Sequence, residues 1–206
     1  MNIKAYLTEI AVQNGLAAEF LQLPDCELDL AKIKVIMINE VVPRNPDDWF
    51  YSEAHDPENR RTAFAIFELA GVSVKSMHDI LDFGIYITTA LKTPKVGYAA
   101  APEVIRAQLP LLEAELALFP NLKVIMLMGG VAIQAVNMIE KAKTKKTVCP
   151  SSAAGRRQYL LKHDAFYWNG VRVFPSYIMT GKNLLIEPFK RDTIAEDIRR
   201  MIKVIL

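Results

Sequence analysis

The chain has 206 residues, of which 51% are apolar and 23% are charged, and its formal net charge is +2. This composition excludes a disordered chain and predicts a single folded domain over residues 1–206 with a core of ordinary size. So weak a positive charge permits nucleic-acid binding but does not argue for it.

The N-terminal part alternates helical and strand patterns. Apolar residues at helical spacing predict a helix over 3–13. The nearly all-apolar run 32–38 is typical of a strand that is buried on both faces. A polar loop over 39–59 follows, and a second helix is predicted at 60–70, ended by Gly71. This region therefore predicts the order helix, strand, helix.

The alternation continues to the C-terminus. Strands are predicted at 83–89, 123–128 and 170–175, and helices at 101–119, at 131–142 and from Thr193 onward. Pro110 is expected to kink or split the first of these helices. Glu196, three residues after Thr193, completes the pattern of a capping box, which predicts that the last helix begins there. The whole pattern predicts an α/β fold of three layers, with four parallel strands between two layers of helices.

The stretch 141–169 is basic and rich in small residues, and its apolar pattern is weak. It is predicted to be an exposed insertion within the domain, or simply a solvated loop. The two cysteines, Cys26 and Cys149, lie far apart and lack the spacing of a thiolate metal site. We therefore expect free thiols, no metal and no cofactor.

Neither a signal peptide nor a membrane-spanning segment is predicted from the sequence. The N-terminus carries charged and polar residues within its apolar pattern, unlike a signal peptide. None of the apolar runs is long enough to cross a bilayer. The sequence therefore predicts a cytoplasmic protein, monomeric and without a membrane partner.

Candidate functional residues follow the predicted strands, because ligands of open α/β sheets bind beyond the carboxyl ends of the strands. Glu40 follows the first strand, where its carboxylate can face a pocket, cap a helix or pair with a cation. The consecutive aromatics 49–51 can pack in the core or offer a ring for stacking on a base. The segment 176–183 supplies hydroxyls, backbone donors and one cation, which suits phosphate binding as well as a structural turn. Gly129 and Gly130 lack the spacing of a dinucleotide motif.

Four motifs stand in order after these strands, at 39–43, 88–92, 125–133 and 175–180. Their order and spacing resemble the uracil-DNA glycosylase superfamily, most closely its thermostable iron–sulfur branch. The similarity extends from about residue 32 to the C-terminus. It implies a uracil-DNA glycosylase-like three-layer fold, DNA as the partner, and hydrolysis of the N-glycosidic bond of a flipped, damaged or deaminated base.

The resemblance also implies roles for individual residues. Glu40, at the acidic position of the first motif, would position or activate a water and stabilise the cationic sugar. Contacts to the base are implied for Asn39, Phe50, Tyr51 and Thr89. Contacts to DNA phosphates are implied for Pro43, Arg44, Ser176, Tyr177, Thr180, Gly181, Lys182 and Asn183.

Two motif positions differ from the family pattern. Thr89 stands where relatives carry an Asn that contacts uracil, and a hydroxyl cannot present the paired donor and acceptor of an amide. Ile178 stands where relatives carry a His that donates to the base oxygen. The cluster cysteines of the iron–sulfur branch are absent as well. The main hypothesis is thus a glycosylase acting on a base other than, or besides, uracil. The alternatives are a catalytically silent relative that binds nucleic acid or a nucleotide, and an unrelated α/β enzyme acting on a phosphorylated small molecule.

Overall fold

A computed structural model of the chain describes residues 1–97, 99–151, 165–180, 184 and 187–206. The strands of its sheet are β1 (Val35–Val41), β2 (Ile85–Leu91), β3 (Val124–Met128), β4 (Phe166–Trp168) and β5 (Val171–Ser176). They lie in the order β2-β1-β3-β5-β4. The pairs β1–β2, β1–β3 and β3–β5 are parallel, and β4 pairs antiparallel with β5. The central sheet is therefore mostly parallel.

Helices cover both faces of this sheet. They are α1 (Ile3–Gln13), α2 (Glu58–Leu69), α3 (Met77–Asp82), α4 (Pro102–Ala117), α5 (Gly130–Thr144) and α6 (Pro188–Ile205). Ile36 and Ile38 of β1 belong to a core shared with α1, α4 and α5. Val35 and Met37, which alternate with them, belong to a second core shared with α2, α3 and α6. Because every second side chain of a strand faces the same side, both faces of β1 are apolar, as the sequence predicted. The α/β fold with helices around a central sheet is confirmed.

The strand count needs a correction. The four predicted parallel strands correspond to β1, β2, β3 and β5, but the sheet has a fifth strand, β4, within the predicted insertion 141–169. Trp168 pairs with Val171, and the two residues between them, Asn169 and Gly170, have φ of 50° and 82°. Positive φ at both positions is what a two-residue hairpin turn of type I′ requires, and Asn-Gly favours it. The start of the predicted insertion, to Thr144, belongs to α5, and residues 152–164 lie outside the described residues.

Two helix predictions also need correction. α4 runs unbroken through Pro110, because Ile105, Leu111 and Leu112 are fully buried on either side of it and hold both halves against the sheet. α6 begins at Pro188, five residues before the predicted capping box at Thr193. Proline suits the first turn of a helix because it has no N–H there to leave unpaired.

The side chains of the predicted capping box, Thr193 and Glu196, make other contacts in the structure. The Thr193 hydroxyl donates to the Phe189 carbonyl, one turn earlier within α6. Glu196 pairs with Arg199 and Arg200 further along the same helix.

Among the described residues, no helix is both long and apolar enough to cross a membrane. The single domain over 1–206 stays a prediction.

Candidate functional site at the carboxyl ends of the strands

The Glu40 carboxylate lies where the ends of several elements meet. Its Oε1 accepts a hydrogen bond from the backbone N–H of Val131, in the first turn of α5, at 3.2 Å. Its Oε2 lies 3.5 Å from Nζ of Lys95, in the loop after β2. Both contacts place positive charge beside the carboxylate, since the first N–H groups of a helix carry a partial positive charge. Glu40 thus has both of the structural contacts that the sequence left open, a helix cap and a cation, and its side chain is still 14% exposed.

Gly129 makes room for this carboxylate. Its φ is 106°, a conformation that favours glycine, and a Cβ built there would lie 2.6 Å from Glu40 Oε1. The Gly129 N–H donates to the carbonyl of Ser176, the last residue of β5, at 3.1 Å. The end of β1, the start of α5 and the end of β5 therefore meet within a few ångströms of Glu40.

Three buried polar side chains form a row beside Glu40. Asn39 and Thr89 are paired residues of β1 and β2, and Ser176 pairs with Met128 of β3 at the same level of the sheet. All three are at most 1% exposed. The Asn39 amide and the Thr89 and Ser176 hydroxyls lack a hydrogen-bond partner within the part of the chain that the structure describes. Buried polar atoms are nearly always paired in folded proteins, so this row is a candidate for contact with a ligand.

The row and Glu40 lie on opposite faces of β1. By strand alternation Asn39 shares the face of Val35 and Met37, toward α2, α3 and α6. Glu40 turns the other way, toward α5. Only a ligand that lies across the carboxyl end of β1 can contact both Asn39 and Glu40.

The aromatic residues after β1 are mostly part of the core. Phe50 is fully buried and Trp49 is 3% exposed, both in the core beneath α2 and α6. Tyr51 is partly buried, and its hydroxyl donates to the Ile87 carbonyl at the outer edge of β2, at 2.6 Å. Burial raises the pKa of Tyr51 well above its usual value. In this arrangement the ring of Phe50 is not open to a base, and Tyr51 is the more accessible of the two proposed stacking residues.

The proposed phosphate ligands are only partly described. Arg44 is exposed, and its guanidinium lies 3.5 Å from the backbone carbonyl of Lys95. It is therefore close to the lysine that pairs with Glu40. Pro43 and Thr180 are partly exposed. Tyr177 packs edge-on against Phe189 at the start of α6, with Lys190 near its ring. Gly181, Lys182 and Asn183 lie outside the described residues.

Lys92, the lysine of the second motif, has a structural position. It is fully buried, and its Nζ lies 2.6 Å from Oε2 of Glu115 in α4 and donates to the Thr89 carbonyl at 2.8 Å. The hydroxyls of Tyr86 and Thr88 donate to the other oxygen of Glu115. Burial lowers the pKa of Lys92, while Glu115 opposes that shift. This buried network fixes the end of β2 that carries Thr89.

Lys95 pairs with Glu40 but is not among the functional residues that the sequence predicts. The only feature of the sequence that points to Lys95 is its place in the segment after β2, and lysine is common on surfaces in any case.

Both cysteines are free thiols, and among the described residues no group of three or more His, Cys, Asp or Glu side chains forms a metal site. No protein-family model matches the chain, and no curated protein matches its sequence.

Proposed function

We propose that this chain is a DNA glycosylase with a uracil-DNA glycosylase-like fold, which hydrolyses the N-glycosidic bond of a damaged or deaminated base flipped out of DNA. The observation that carries the proposal is the Glu40 carboxylate, held between the start of α5 and Lys95 at the carboxyl ends of the parallel strands. Glu40, Thr89, Gly129 and Ser176 each represent one of the four motifs, and all of them lie at this end of the sheet. Ligands of open α/β sheets bind there.

Glu40 has the capacity for the proposed chemistry. An ionised carboxylate offers about four lone-pair sites, and the Val131 N–H and Lys95 use two of them. A remaining site accepts a hydrogen bond from a water molecule. As the bond between C1′ and the base nitrogen breaks, its electron pair leaves with the base and positive charge develops on the sugar. The carboxylate stabilises that charge and takes a proton from the water that attacks C1′.

Departure of the base is expected to be the slow step of the reaction. Ile178 cannot donate a hydrogen bond to the base as negative charge builds on it. Loss of one preorganised donor typically lowers a rate by about a hundred- to a thousandfold. We therefore expect slow turnover, which a single-turnover assay with excess protein detects.

Two of the proposed DNA contacts, Arg44 and Thr180, lie near the same end of the sheet. Arg44 is exposed beside Lys95, and Thr180 follows β5. Together with Lys182, these residues would hold the phosphates on either side of the flipped nucleotide. Phosphate contacts position the strand and carry no information about sequence.

The test compares Glu40→Gln with the wild type. Glutamine keeps the size of the side chain and still accepts from the Val131 N–H, but it cannot take up a proton or offset a positive charge. We expect at least about a hundredfold slower base release in single-turnover assays on oligonucleotides carrying uracil, hypoxanthine or xanthine. Glu53→Gln, in the exposed loop after β1, is the matched control and should behave as the wild type. Equal rates for Glu40→Gln and the wild type would rule out this role.

The alternative is a catalytically silent relative that binds DNA or a nucleotide. It is favoured by the two structural contacts of Glu40 and by Ile178, because a carboxylate that only caps α5 needs no substrate. This alternative predicts no base release by the wild type together with binding to DNA that contains an abasic-site analogue. Arg44→Ala should weaken that binding.

A further inference from the structure

A cavity of about 310 Å³ lies between α2 and the turn that precedes α3. Its volume is at the lower end of the range of small-molecule sites, about 300–1,000 Å³. Glu40 and the buried row of polar side chains are not among its described lining residues. The cavity is therefore separate from the candidate site at the strand ends.

The lining of this cavity carries several basic side chains. Arg60 and Arg61 line it from α2, and Lys75 lines it from the turn before α3, so the cations come from two different elements. Asp56 is the one carboxylate among the described lining residues. With His55 neutral, three cations and one carboxylate give the cavity a formal charge of +2. A cleft lined mainly by one sign of charge concentrates the field and attracts ions of the opposite sign.

Arg60 is held in place by backbone carbonyls rather than by a carboxylate. Its half-buried guanidinium donates to the carbonyls of Ser52, Ala54 and His55, at 3.2, 2.8 and 3.2 Å. Within the described ranges of the chain, this guanidinium forms no ion pair. The carbonyl groups fix its position but leave its full positive charge beside the cavity.

The other two cations are accessible from solvent. Asp79 fixes the turn that carries Lys75, because its Oδ2 accepts from the backbone N–H groups of Lys75 and Ser76 at 2.7 and 3.1 Å. The exposed Lys75 ammonium has no ion-pair partner among the residues that the structure describes. Arg61 pairs with Asp56, and both side chains are more than half exposed. Since exposed pairs are weak, a ligand with two negative charges can displace Asp56 from Arg61.

Apolar and hydroxyl groups complete the cavity. Phe64 of α2 and Met77 of α3 line it, and both are half-buried and pack against the core under α2, α3 and α6. The Ser76 hydroxyl accepts from the Asp79 N–H at 3.1 Å, so its own proton remains to be donated. An aromatic ring and a thioether suit contact with the flat face of a nucleobase.

We propose that this cavity binds the terminal phosphate monoester of a nucleotide, with the phosphate between Arg61 and Lys75 and the base against Phe64. A terminal phosphate carries a charge of about −1.5 to −2 near neutral pH, which matches the formal charge of the cavity. A phosphodiester within a strand carries only one negative charge. The site goes beyond the proposed glycosylase function, because it involves none of the residues that act at the glycosidic bond.

The arrangement of donors favours a phosphate over a carboxylate. Arg61 lies on the α2 side of the cavity, and Lys75 and the Ser76 hydroxyl lie on the α3 side. A tetrahedral phosphate presents three terminal oxygens in different directions, whereas a carboxylate presents two in one plane. A guanidinium binds two of those oxygens in parallel, and an ammonium binds a third as a point charge.

The first test is an NMR titration of the isotope-labelled protein with thymidine 5′-monophosphate. We expect the backbone amide signals of Arg61, Lys75 and Met77 to shift, which locates the ligand in this cavity. Lys75→Glu should weaken binding at least about tenfold, because repulsion replaces a charge-assisted contact. Lys123→Glu, at an exposed lysine just before β3, changes the net charge equally and should bind as the wild type does. Equal losses in the two variants, or no shift of the three signals, would overturn the proposal.

Asp56→Asn tests the same site with the opposite sign. Asparagine keeps the size of the side chain but removes the one carboxylate of the described lining and releases Arg61. Binding of thymidine 5′-monophosphate should tighten at least about threefold, because repulsion of the phosphate and competition for Arg61 are both lost. A gain in affinity cannot result from misfolding. Unchanged or weaker binding would contradict the position of the phosphate beside Arg61.

Phe64→Leu tests the contact with the base. The wild type should bind thymidine 5′-monophosphate more tightly than inorganic phosphate. Because the ring of Phe64 stacks on the base, Phe64→Leu should bind the nucleotide at least about threefold more weakly and inorganic phosphate unchanged. Leucine fills most of the space of the ring, and the melting temperature checks that the core is intact. Equal affinity of the wild type for the two ligands would show that the base is not recognised.

Oligonucleotides distinguish two sources of a terminal phosphate, a free mononucleotide and the end of a strand. If a thymidine tetranucleotide with a 5′-phosphate shifts the same three amide signals, the site accepts a strand end. If only the mononucleotide shifts them, the ligand is a free nucleotide. The tetranucleotide without a terminal phosphate should leave the signals unchanged. If it shifts them as strongly, the cavity does not recognise a phosphate monoester and the proposal is wrong.

Discussion

At the scale of single residues, Glu40 and Gly129 form one unit. Gly129 is needed for two separate reasons, since its φ of 106° is strained for any residue with a side chain and a Cβ would meet the Glu40 carboxylate. The next residue, Gly130, lies in α5, and a Cβ there would be 3.7 Å from Glu40 Oε1, an ordinary contact. Two adjacent glycines thus carry very different constraints.

Gly129→Ala is expected to destabilise the protein and to displace the carboxylate. The unfavourable backbone conformation costs about 1–3 kcal/mol of unfolding free energy, and Glu40 must move away from the Val131 N–H. Urea denaturation measures the first effect and single-turnover base release the second. Gly130→Ala, by comparison, should be neutral or slightly stabilising, because alanine favours a helix more than glycine does. Equal stability of the two variants would contradict this account.

At the scale of elements, the buried Lys92–Glu115 pair connects β2 to α4. The 2.6 Å contact has no exposed surface on either side chain, and it extends to Tyr86, Thr88 and the Thr89 carbonyl. The Gln108 side chain accepts from the Lys92 backbone N–H and so adds a second link between the two elements. Because the network includes the Thr89 carbonyl, it holds Thr89, one of the three buried polar residues, in place at the end of β2.

Breaking this pair should be costly. Lys92→Met leaves the Glu115 carboxylate buried without its cation, and such a loss typically costs about 3–5 kcal/mol. The matched control is Lys32→Met, because Lys32 and Asp82 are also 2.6 Å apart but both are about half exposed. Exposed pairs contribute less than about 1 kcal/mol. Denaturant titration of both variants measures the difference, and similar losses would show that the buried pair has no special role.

At the scale of the whole molecule, two apolar cores on either side of the sheet hold several ionisable groups in their neutral forms. Burial raises the pKa of the Cys26 thiol from 9.0 to about 12. Burial also raises the pKa of Tyr51 and Tyr86 well above 10. These groups lose their protons in the unfolded chain at lower pH than in the folded protein. Their contribution to stability is complete below about pH 9 and is lost as the pH rises above it.

Cys26→Ala should reduce this sensitivity to alkali. At pH 10 most unfolded Cys26 thiols have ionised and folded ones have not, which corresponds to about 1 kcal/mol of lost stability. The lowered pKa of Lys92 acts in the opposite direction, but it is present in both proteins. Unfolding in urea with fresh reductant at pH 8 and pH 10 gives the loss for each protein. The wild type should lose more than Cys26→Ala; equal losses would show that the thiol is not protected by burial.

The sequence by itself determined the class of fold and the order of five helices and four parallel strands along the chain, but not α3 and β4. The nearly all-apolar run of β1 identifies a strand that is buried on both faces, because a strand with one face in water alternates apolar and polar residues. It also placed Glu40, Thr89 and Ser176 at strand ends. Two local signals were present but unused, the Asn169-Gly170 turn of the β4–β5 hairpin and the capping box of Ser76 and Asp79 that starts α3.

Only the tertiary structure decided which side chains at those strand ends are available. Trp49, Phe50 and Tyr51 are equally aromatic in sequence, yet Phe50 is fully buried and Tyr51 is bonded to the edge of β2. Burial depends on the packing of α2 and α6 over the sheet, which arises from residues far away in the chain. Likewise, the contact of Glu40 with Lys95 and the pairing of Asn39 with Thr89 depend on strand order, since β1 meets β2 only after 43 intervening residues have been placed. Local patterns fix what each segment becomes, and long-range packing fixes which of its side chains meet.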